Sequence, residues 1–132
     1  IYMSNGGSAD LRNINFSDLK VNMTHTVIID GEPDNNYHDV TIANSILNIV
    51  PGRKQKLGGM YIEIPSCSFY VADTTGFKFR DSIIRFRDGA EKVDSLFNFA
   101  NCDNPSLVNV DLGNCPELGI ATFAEDLHPV ET

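Results

Sequence analysis

Three carboxylates are the candidate catalytic groups of this sequence: Asp39, Asp81 and Glu63. Cleavage of a glycosidic bond needs two carboxyl groups, about 5 Å apart for retention of configuration and about 6.5–9.5 Å apart for inversion. Glu63 lies between two isoleucines in an alternating segment, so its side chain is expected to point outward beside Tyr61. Asp39 and Asp81 lie near the ends of predicted strands, so two of the three could meet across neighbouring strands. The chain has 18 acidic residues, and solvated surface acids are the simpler interpretation.

Four basic residues alternate with apolar ones between positions 77 and 87: Lys78, Arg80, Arg85 and Arg87. If the apolar residues fill the interior, these four side chains point outward and could bind the carboxylates of a uronic-acid polymer through charge-assisted hydrogen bonds. Tyr61 could stack on a sugar ring. The alternative is that these charges only keep an exposed sheet surface soluble.

The net charge of −8 argues against nucleic-acid binding as a main role. The charge is unevenly distributed: residues 53–92 hold eight basic and five acidic residues, a net +3, which leaves −11 for the rest of the chain. No apolar run approaches the ~20 residues that a membrane helix needs. Charge asymmetry of this kind can mark a site for an anion, and a solvated face balanced by neighbouring acids is the simpler interpretation. An acidic polysaccharide is a candidate partner, and neither a nucleic acid nor a membrane is expected as one.

The cysteine and histidine residues predict no metal site and no cofactor. Cys67, Cys102 and Cys115 form no CxxC pair and have no histidine at a zinc-binding spacing. Buried free thiols are the simplest interpretation. A disulfide between Cys102 and Cys115 is the alternative in a secreted protein, although spacing alone does not show it.

A short sequence motif recurs along the chain, and it predicts the strands and turns that would position the candidate catalytic and basic residues. Each copy has two apolar residues separated by one residue, with Asp or Asn two positions after the second. The copies are Ile14-Asn15-Phe16-Ser17-Asp18, Val40-Thr41-Ile42-Ala43-Asn44 and Phe77-Lys78-Phe79-Arg80-Asp81. A weaker fourth copy, Val108-Asn109-Val110-Asp111-Leu112, has leucine at the last position. Alternation of period two predicts a strand, and the Asx after it predicts a turn.

The motif recurs at unequal intervals of 26, 37 and 31 residues. Such recurrence is typical of a solenoid of stacked coils into which loops of different length are inserted. Short strands are predicted throughout and helix signals are nearly absent, so the fold class is all-β. We predict a right-handed parallel β-helix of about four coils. A β-sandwich, a barrel or a leucine-rich-repeat-like solenoid, the last suggested by residues 107–118, are the alternatives. Strands are predicted at 12–16, 19–21, 26–29, 38–42, 46–50, 59–64, 67–72, 76–80, 83–87, 95–99, 106–112 and 119–123.

Stacking in register makes three specific predictions about which residues lie above one another. One interior column should contain Ile14, Val40, Phe77 and Val108. A second should contain Phe16, Ile42, Phe79 and Val110. An Asx stack of Asp18, Asn44 and Asp81 should lie at a turn, where these side chains bond local backbone and tolerate a bent conformation.

The repeat style resembles right-handed parallel β-helix proteins, most of all the C-terminal coils of polygalacturonase-type glycoside hydrolases. The segments Arg12–Leu19 and Tyr37–Ser45 carry this resemblance. It implies a polysaccharide substrate and an extracellular, periplasmic or virion-surface location. The catalytic Asn-Thr-Asp, Asp-Asp and Gly-His-Gly elements of that family do not occur in this chain. A chain of this type is therefore not expected to be active alone.

We accordingly expect residues 1–132 to form one solenoid domain that lacks upstream coils, with residues 116–132 as a cap or tail. The first functional hypothesis is the substrate-cradling or stabilising C-terminal part of a pectin-type polysaccharide hydrolase. The alternative is a non-catalytic structural or adhesion module such as a phage tail or spike segment. Association with upstream coils or with further copies of the chain is expected in either case.

Overall fold

The computed structural model describes residues 2–4, 11–24, 26–31, 37–51, 67–90, 95–113 and 119–123. Within these ranges the protein consists of β-strands joined by turns and contains no helix. None of the described segments is a helix that could cross a membrane. The predicted all-β class is confirmed.

The described residues form twelve strands, most of them short. They are β1 Tyr2–Ser4, β2 Leu11–Ser17, β3 Lys20–Met23, β4 Val27–Asp30, β5 Tyr37–Ala43, β6 Ile46–Ile49, β7 Cys67–Ala72, β8 Thr74–Thr75, β9 Lys78–Phe86, β10 Ser95–Ala100, β11 Ser106–Asp111 and β12 Gly119–Phe123.

The strands build two sheets in which all described ladders are parallel. The five-stranded sheet has the order β1-β4-β7-β10-β12, and the seven-stranded sheet has the order β2-β5-β9-β6-β3, with β8 on β5 and β11 on β9. Strands far apart in sequence are therefore neighbours, because each pass of the chain lies on the previous pass. This is a solenoid-like stack of parallel strands. The antiparallel ladders expected of a sandwich are absent from the described strands.

The two predicted interior columns are confirmed over the first three passes. Ile14 lies beside Val40, and Phe16 lies beside Ile42. Ile42 in turn lies beside Phe79. Since Thr41 pairs with Lys78, Phe77 takes the place next to Val40. All but the outermost members of these columns are fully buried: Val40, Ile42, Phe77 and Phe79.

The prediction for the fourth pass is wrong by three residues. Val108 pairs with Arg80 and is 44% exposed, so it lies on the outer surface and not beside Phe77. Leu107 is the residue that lies beside Phe79, and Val110 lies beside Ser82. Pro105 takes the apolar position before Leu107 and is buried. Proline has no N–H to donate, and here it stands immediately before the first residue of β11, where this loss is tolerated.

Two predicted strands merge, and one predicted strand lies outside the described residues. Segments 76–80 and 83–87 form the single strand β9, which pairs with β5 before Asp81 and with β6 after it. The strand predicted at 59–64 lies outside the described residues. In the five-stranded sheet, β7 lies between β4 and β10.

An aromatic cluster joins the two sheets in the interior. Phe97 of β10 stacks on Phe69 of β7 with ring centroids 4.6 Å apart and planes at 15°. Phe79 of β9 meets both rings edge-on, at 5.4 and 5.5 Å. Phe97 also lies parallel to Phe99, at 5.8 Å. Since these rings come from different passes and from both sheets, their burial stabilises the stack as a whole.

Cys67 and Cys102 are buried free thiols, as the sequence predicts. Burial raises the pKa of each to about 12. Cys115 lies outside the described residues.

The register predicts a large difference in stability between two truncations. Phe97→Ala removes a fully buried ring and should lower the free energy of unfolding by about 3–5 kcal/mol. Val108→Ala removes an exposed side chain and should change it by no more than about 0.5 kcal/mol. Urea denaturation followed by far-UV circular dichroism measures both. A loss of about 2 kcal/mol or more for Val108→Ala would mean that this side chain is buried after all.

Candidate functional site

The chain turns at one column of Asx residues that recurs in all four passes through the seven-stranded sheet. Asp18, Asn44, Asp81 and Asn109 all have positive φ, at 59°, 52°, 50° and 51°. This left-handed conformation is unfavourable for most residues but is tolerated by Asn and Asp. The first three are the predicted Asx stack, and its place at the bend is confirmed. The predicted bonds from these side chains to local backbone are not found among the described residues: Asp18 accepts from the Ser17 hydroxyl, and Asp81 accepts from the side chains of Asn109 and Arg80. The fourth member is Asn109, which lies beside Asp81. It was not predicted, because the fourth copy of the motif was placed three residues too late in the sequence.

A second column of corners was not predicted. Asn13, Asp39 and Asn104 have φ of 54°, 56° and 52°, and Gly76, with φ 73°, stands in the place of an Asx. Each lies five residues before a member of the first column. The sequence signal that could have revealed both columns is therefore a pair of Asx or Gly residues at a spacing of five.

Side chains directly after the corners hydrogen-bond the backbone where the chain bends. The Ser45 hydroxyl donates to Ala43 O at 2.8 Å and accepts from Leu19 N of the previous pass at 3.1 Å. The Ser82 hydroxyl donates to Arg80 O at 2.8 Å and accepts from Ser45 N at 3.1 Å. These buried serines satisfy polar groups that the bend removes from regular pairing.

A third corner, between the two sheets, is built in the same way. Asp73 and Asn101 both have positive φ. Thr74, the residue after Asp73, donates to Ala72 O at 2.9 Å. Cys102, the residue after Asn101, lies 3.5 Å from Ala100 O through its sulfur. Cys102 thus takes the structural position of a threonine.

The candidate catalytic residues Asp39 and Asp81 belong to different corner columns. Asp39 lies beside Gly76, where an added Cβ would be 2.7 Å from the Asp39 carboxylate. Gly76 and Asp81 are five residues apart, a span of roughly 16 Å in an extended strand. This is well beyond the about 6.5–9.5 Å of an inverting pair. Their positions give both aspartates a role in turning the chain. The third candidate, Glu63, and the candidate sugar-stacking Tyr61 lie outside the described residues.

Asp81 is held as a carboxylate by its neighbours. Asn109 Nδ2 donates to Asp81 Oδ1 at 2.8 Å, and Arg80 Nη1 lies 2.7 Å from Asp81 Oδ2. These two hydrogen bonds lower the pKa of Asp81 below its ordinary value. The bond from the Asn109 side-chain amide is the largest cause, and the bond from Arg80 is the next. The carboxylate and the amide side chains thus link successive passes at this corner.

Asp73 has the opposite shift although its contact is similar. Asn101 Nδ2 donates to Asp73 Oδ1 at 2.7 Å. The pKa of Asp73 is nevertheless raised, first by burial and also by the charge of Asp30, while the Asn101 bond opposes the shift. An acid–amide pair therefore joins neighbouring passes at two separate corners.

The four predicted basic residues point outward, as expected, but the corner at Asp81 divides them into two pairs. Lys78 and Arg80 lie beside β5 and β11, whereas Arg85 lies beside Asn48 of β6 and Arg87 follows it. Arg80 and Arg85 form ion pairs with Asp81 and with Asp111, at 2.7 and 3.1 Å. Lys78 and Arg87 are exposed and form no ion pair with any described residue.

The outer surface around Lys78, which we call the Lys78 face, is polar with one apolar side chain. Lys78 lies between Thr41, which is partly exposed, and Ser106, which is only 8% exposed. Arg80 emerges from the same side of β9 and lies beside the exposed Val108. Cations, hydroxyls and a small apolar patch are the groups that bind an anionic sugar polymer through charge, hydrogen bonds and ring contacts. No cluster of three His, Cys, Asp or Glu residues that could hold a metal ion occurs among the described residues.

Comparison with known proteins gives no identity: the chain matches no family model, no curated protein and no solved structure.

The pKa values of Asp73 and Asp81 are shifted in opposite directions, so the same substitution should have opposite pH effects at the two positions. The raised folded-state pKa of Asp73 means that stability falls as pH rises from the unfolded value of about 3.9 through the folded value. Relative to the unsubstituted protein, Asp73→Asn should therefore raise the free energy of unfolding more at pH 7 than at pH 3. The lowered pKa of Asp81 contributes stability above about 3.9 that is lost as pH falls through the folded value. Asp81→Asn should therefore destabilise at pH 7.

Urea denaturation of both variants at pH 3 and pH 7 checks these signs. The variants are matched, because each replaces Asp by Asn at a left-handed corner and keeps an oxygen for the neighbouring amide. The same sign of change at pH 7 in both variants would contradict the assignment.

Proposed function

We propose that the chain is a right-handed parallel β-helix of about four coils whose Lys78 face binds an acidic polysaccharide. The parallel ladders support the fold, since connections between parallel strands of one sheet are right-handed in nearly all proteins. The observation that carries the functional part is the exposed Lys78 next to Arg80, with the partly exposed Thr41 on the adjacent strand β5 and no described acid paired with Lys78.

The proposed role is to cradle the polymer, as the C-terminal part of a pectin-type hydrolase would. The backbone spacing of Asp39 and Asp81 favours binding over hydrolysis by this pair. The proposed location is extracellular, periplasmic or on a virion surface, where polysaccharides are met. The net charge of −8 opposes the approach of a polyanion, so binding must depend on the local positive surface and weaken with salt.

The proposal predicts that polygalacturonate binds at low ionic strength and that Lys78→Ala weakens the binding by about three- to tenfold, since one exposed charge-assisted contact is lost. Lys20→Ala is the matched control, because Lys20 is also an exposed lysine on a strand but lies outside the Lys78 face. Isothermal titration calorimetry at two salt concentrations measures both. Equal weakening by the two substitutions, or equal affinity for a neutral polysaccharide, would contradict the proposal.

A second candidate is a structural or adhesion module without chemistry of its own. The observation that favours it is that three aspartates already have structural roles. Asp39 and Asp81 lie at corners of the chain, and Asp111 forms an ion pair with Arg85. The ends of a solenoid need capping, so this candidate has copies of the chain associating with one another.

This candidate predicts a stable homotrimer that releases no reducing sugar from polygalacturonate. Light scattering after size-exclusion chromatography and a reducing-end assay measure the two properties. A monomer that binds polygalacturonate supports the first candidate, and a trimer that does not bind it supports the second. Hydrolysis by the isolated chain would contradict both.

A further inference from the structure

Two isoleucines lie side by side on the outer surface of the seven-stranded sheet, after the Asp81 corner. Ile46 of β6 pairs with Ile83 of β9. Ile46 is 39% exposed and Ile83 is partly exposed. Leu47 and Ile84, the residues that follow them, are fully buried, so the alternation of a strand directs Ile46 and Ile83 outward. Single apolar residues are ordinary on a protein surface, whereas adjacent ones form a patch that a binding partner can bury.

Opposite charges lie at the two ends of this apolar pair. Lys20 of β3 pairs with Ile46, and Asp111 of β11 pairs with Ile83. Both charged residues are exposed. The side chains form a row across adjacent strands with about 4.8 Å between neighbours, so the two charges are roughly 14 Å apart. We call the outer surface around Lys20, Ile46, Ile83 and Asp111 the Ile46 face.

Asp111 is fixed in place and is still open to a further contact. Its carboxylate accepts from Arg85 Nη2 at 3.1 Å and from the backbone N–H of Gly113 at 2.8 Å. These two bonds, the Arg85 bond first, lower the pKa of Asp111, so the group is charged at neutral pH. Its side chain is 57% exposed, and a carboxylate has about four lone-pair positions. A cation on a facing surface can therefore share the carboxylate with Arg85.

The row is complementary to itself when it is turned end for end. A twofold axis that runs along the strands between β6 and β9 places Lys20 of one copy opposite Asp111 of the other. The same axis places Ile46 opposite Ile83. Such an isologous contact uses one patch on both copies and forms each contact twice. We propose that the Ile46 face is the interface of a symmetric dimer of this chain. A different protein would need the same pattern in reverse, which a second copy already provides.

The next row of the Ile46 face obeys the same symmetry. Asn22, Asn48 and Arg85 lie side by side on β3, β6 and β9. Asn48 is only 6% exposed, and its Nδ2 donates to Asn22 Oδ1 at 3.2 Å. The twofold axis sets Arg85 of one copy over this shielded amide of the other and not over a cation. Like charges therefore meet in neither row, which favours association with a second copy over mismatched partners.

The extent of the Ile46 face predicts a weak dimer. Four strands about 4.8 Å apart, each with roughly four residues after the corner, cover roughly 15 by 13 Å. A standard protein–protein interface takes about 800 Å² from each partner, which is several times this outline. We therefore expect a dissociation constant on the order of 0.1–1 mM, so that the dimer forms mainly at high protein concentration.

Sedimentation equilibrium between about 0.02 and 2 mM protein tests the apolar contact, since the dimer fraction should rise with concentration. Ile46→Asp should weaken self-association by about tenfold or more, because it places a charge in the centre of the interface. Val108→Asp is the matched control and should leave it unchanged. Val108 is a similarly exposed apolar residue, at 44%, but it lies on the Lys78 face, and both substitutions add one negative charge.

Lys20→Glu and Asp111→Lys test the charged contacts by exchange. Each alone sets like charges against each other at both symmetry-related contacts. When ¹⁵N-labelled Lys20→Glu is titrated with unlabelled Asp111→Lys, both contacts again join opposite charges. Asp88→Lys is the control titrant, because it changes the net charge equally at an exposed position outside the Ile46 face. NMR chemical shifts should show binding about three- to tenfold tighter for Asp111→Lys than for Asp88→Lys.

Four results would overturn the proposal. They are a single-chain mass at the highest concentration, equal effects of Ile46→Asp and Val108→Asp, binding of Asp111→Lys no tighter than of Asp88→Lys, and a trimer, since a twofold interface closes at two copies. If Asp111→Lys does not fold, the Ile46 and Val108 variants still decide. Because no polysaccharide is present, the result is independent of whether the Lys78 face binds one.

Discussion

Parallel strands can stack pass upon pass only where the chain bends at the same place each time. In this protein the bend requires positive φ, a conformation that costs most residues about 1–2 kcal/mol and that Asn, Asp and Gly adopt most readily. Nine Asn or Asp residues with positive φ occur among the described residues. The interior columns, the aromatic cluster and the direction of every outward side chain on β9 depend on these corners being in register.

The corners also decide what the acidic residues can do. A carboxylate beside an amide in the next pass, as in Asp81 with Asn109, links two layers at 2.8 Å. Such an Asp stabilises the turn as an acceptor and is already engaged. The chemistry left to the surface therefore lies between the corners, where side chains alternate outward. On β9 these are Lys78 and Arg80 before the bend and Arg85 after it. This division is why we propose ligand binding on the strand surface.

The sequence predicted most of this arrangement, because the alternation of apolar residues and the Asx after each strand are local signals with direct physical causes. The columns through Ile14, Val40 and Phe77 follow from them. The fourth pass was predicted wrongly, because proline occupies its first apolar position, Pro105, and the pair Val108 and Val110 directly after it fits the alternating pattern better. The missed signal was the five-residue spacing from Asn104 to Asn109, which matches that from Asn13 to Asp18.

The grouping of the basic residues was predicted only in part. Their outward direction follows from alternation, but their division depends on a left-handed residue inside a continuous strand.

The measurement that tests the account most directly is disulfide trapping of the β9–β11 register in the folded protein. Arg80 and Val108 lie side by side on the outer surface, so a variant with Arg80→Cys and Val108→Cys should form a disulfide under mild oxidation. A variant with Arg80→Cys and Asp111→Cys should not, because Asp111 pairs with Ile83. If the second variant forms the disulfide and the first does not, Val108 lies beside Phe77 and Asn109 is not the corner residue of the fourth pass. That result would contradict the register of β9 and β11.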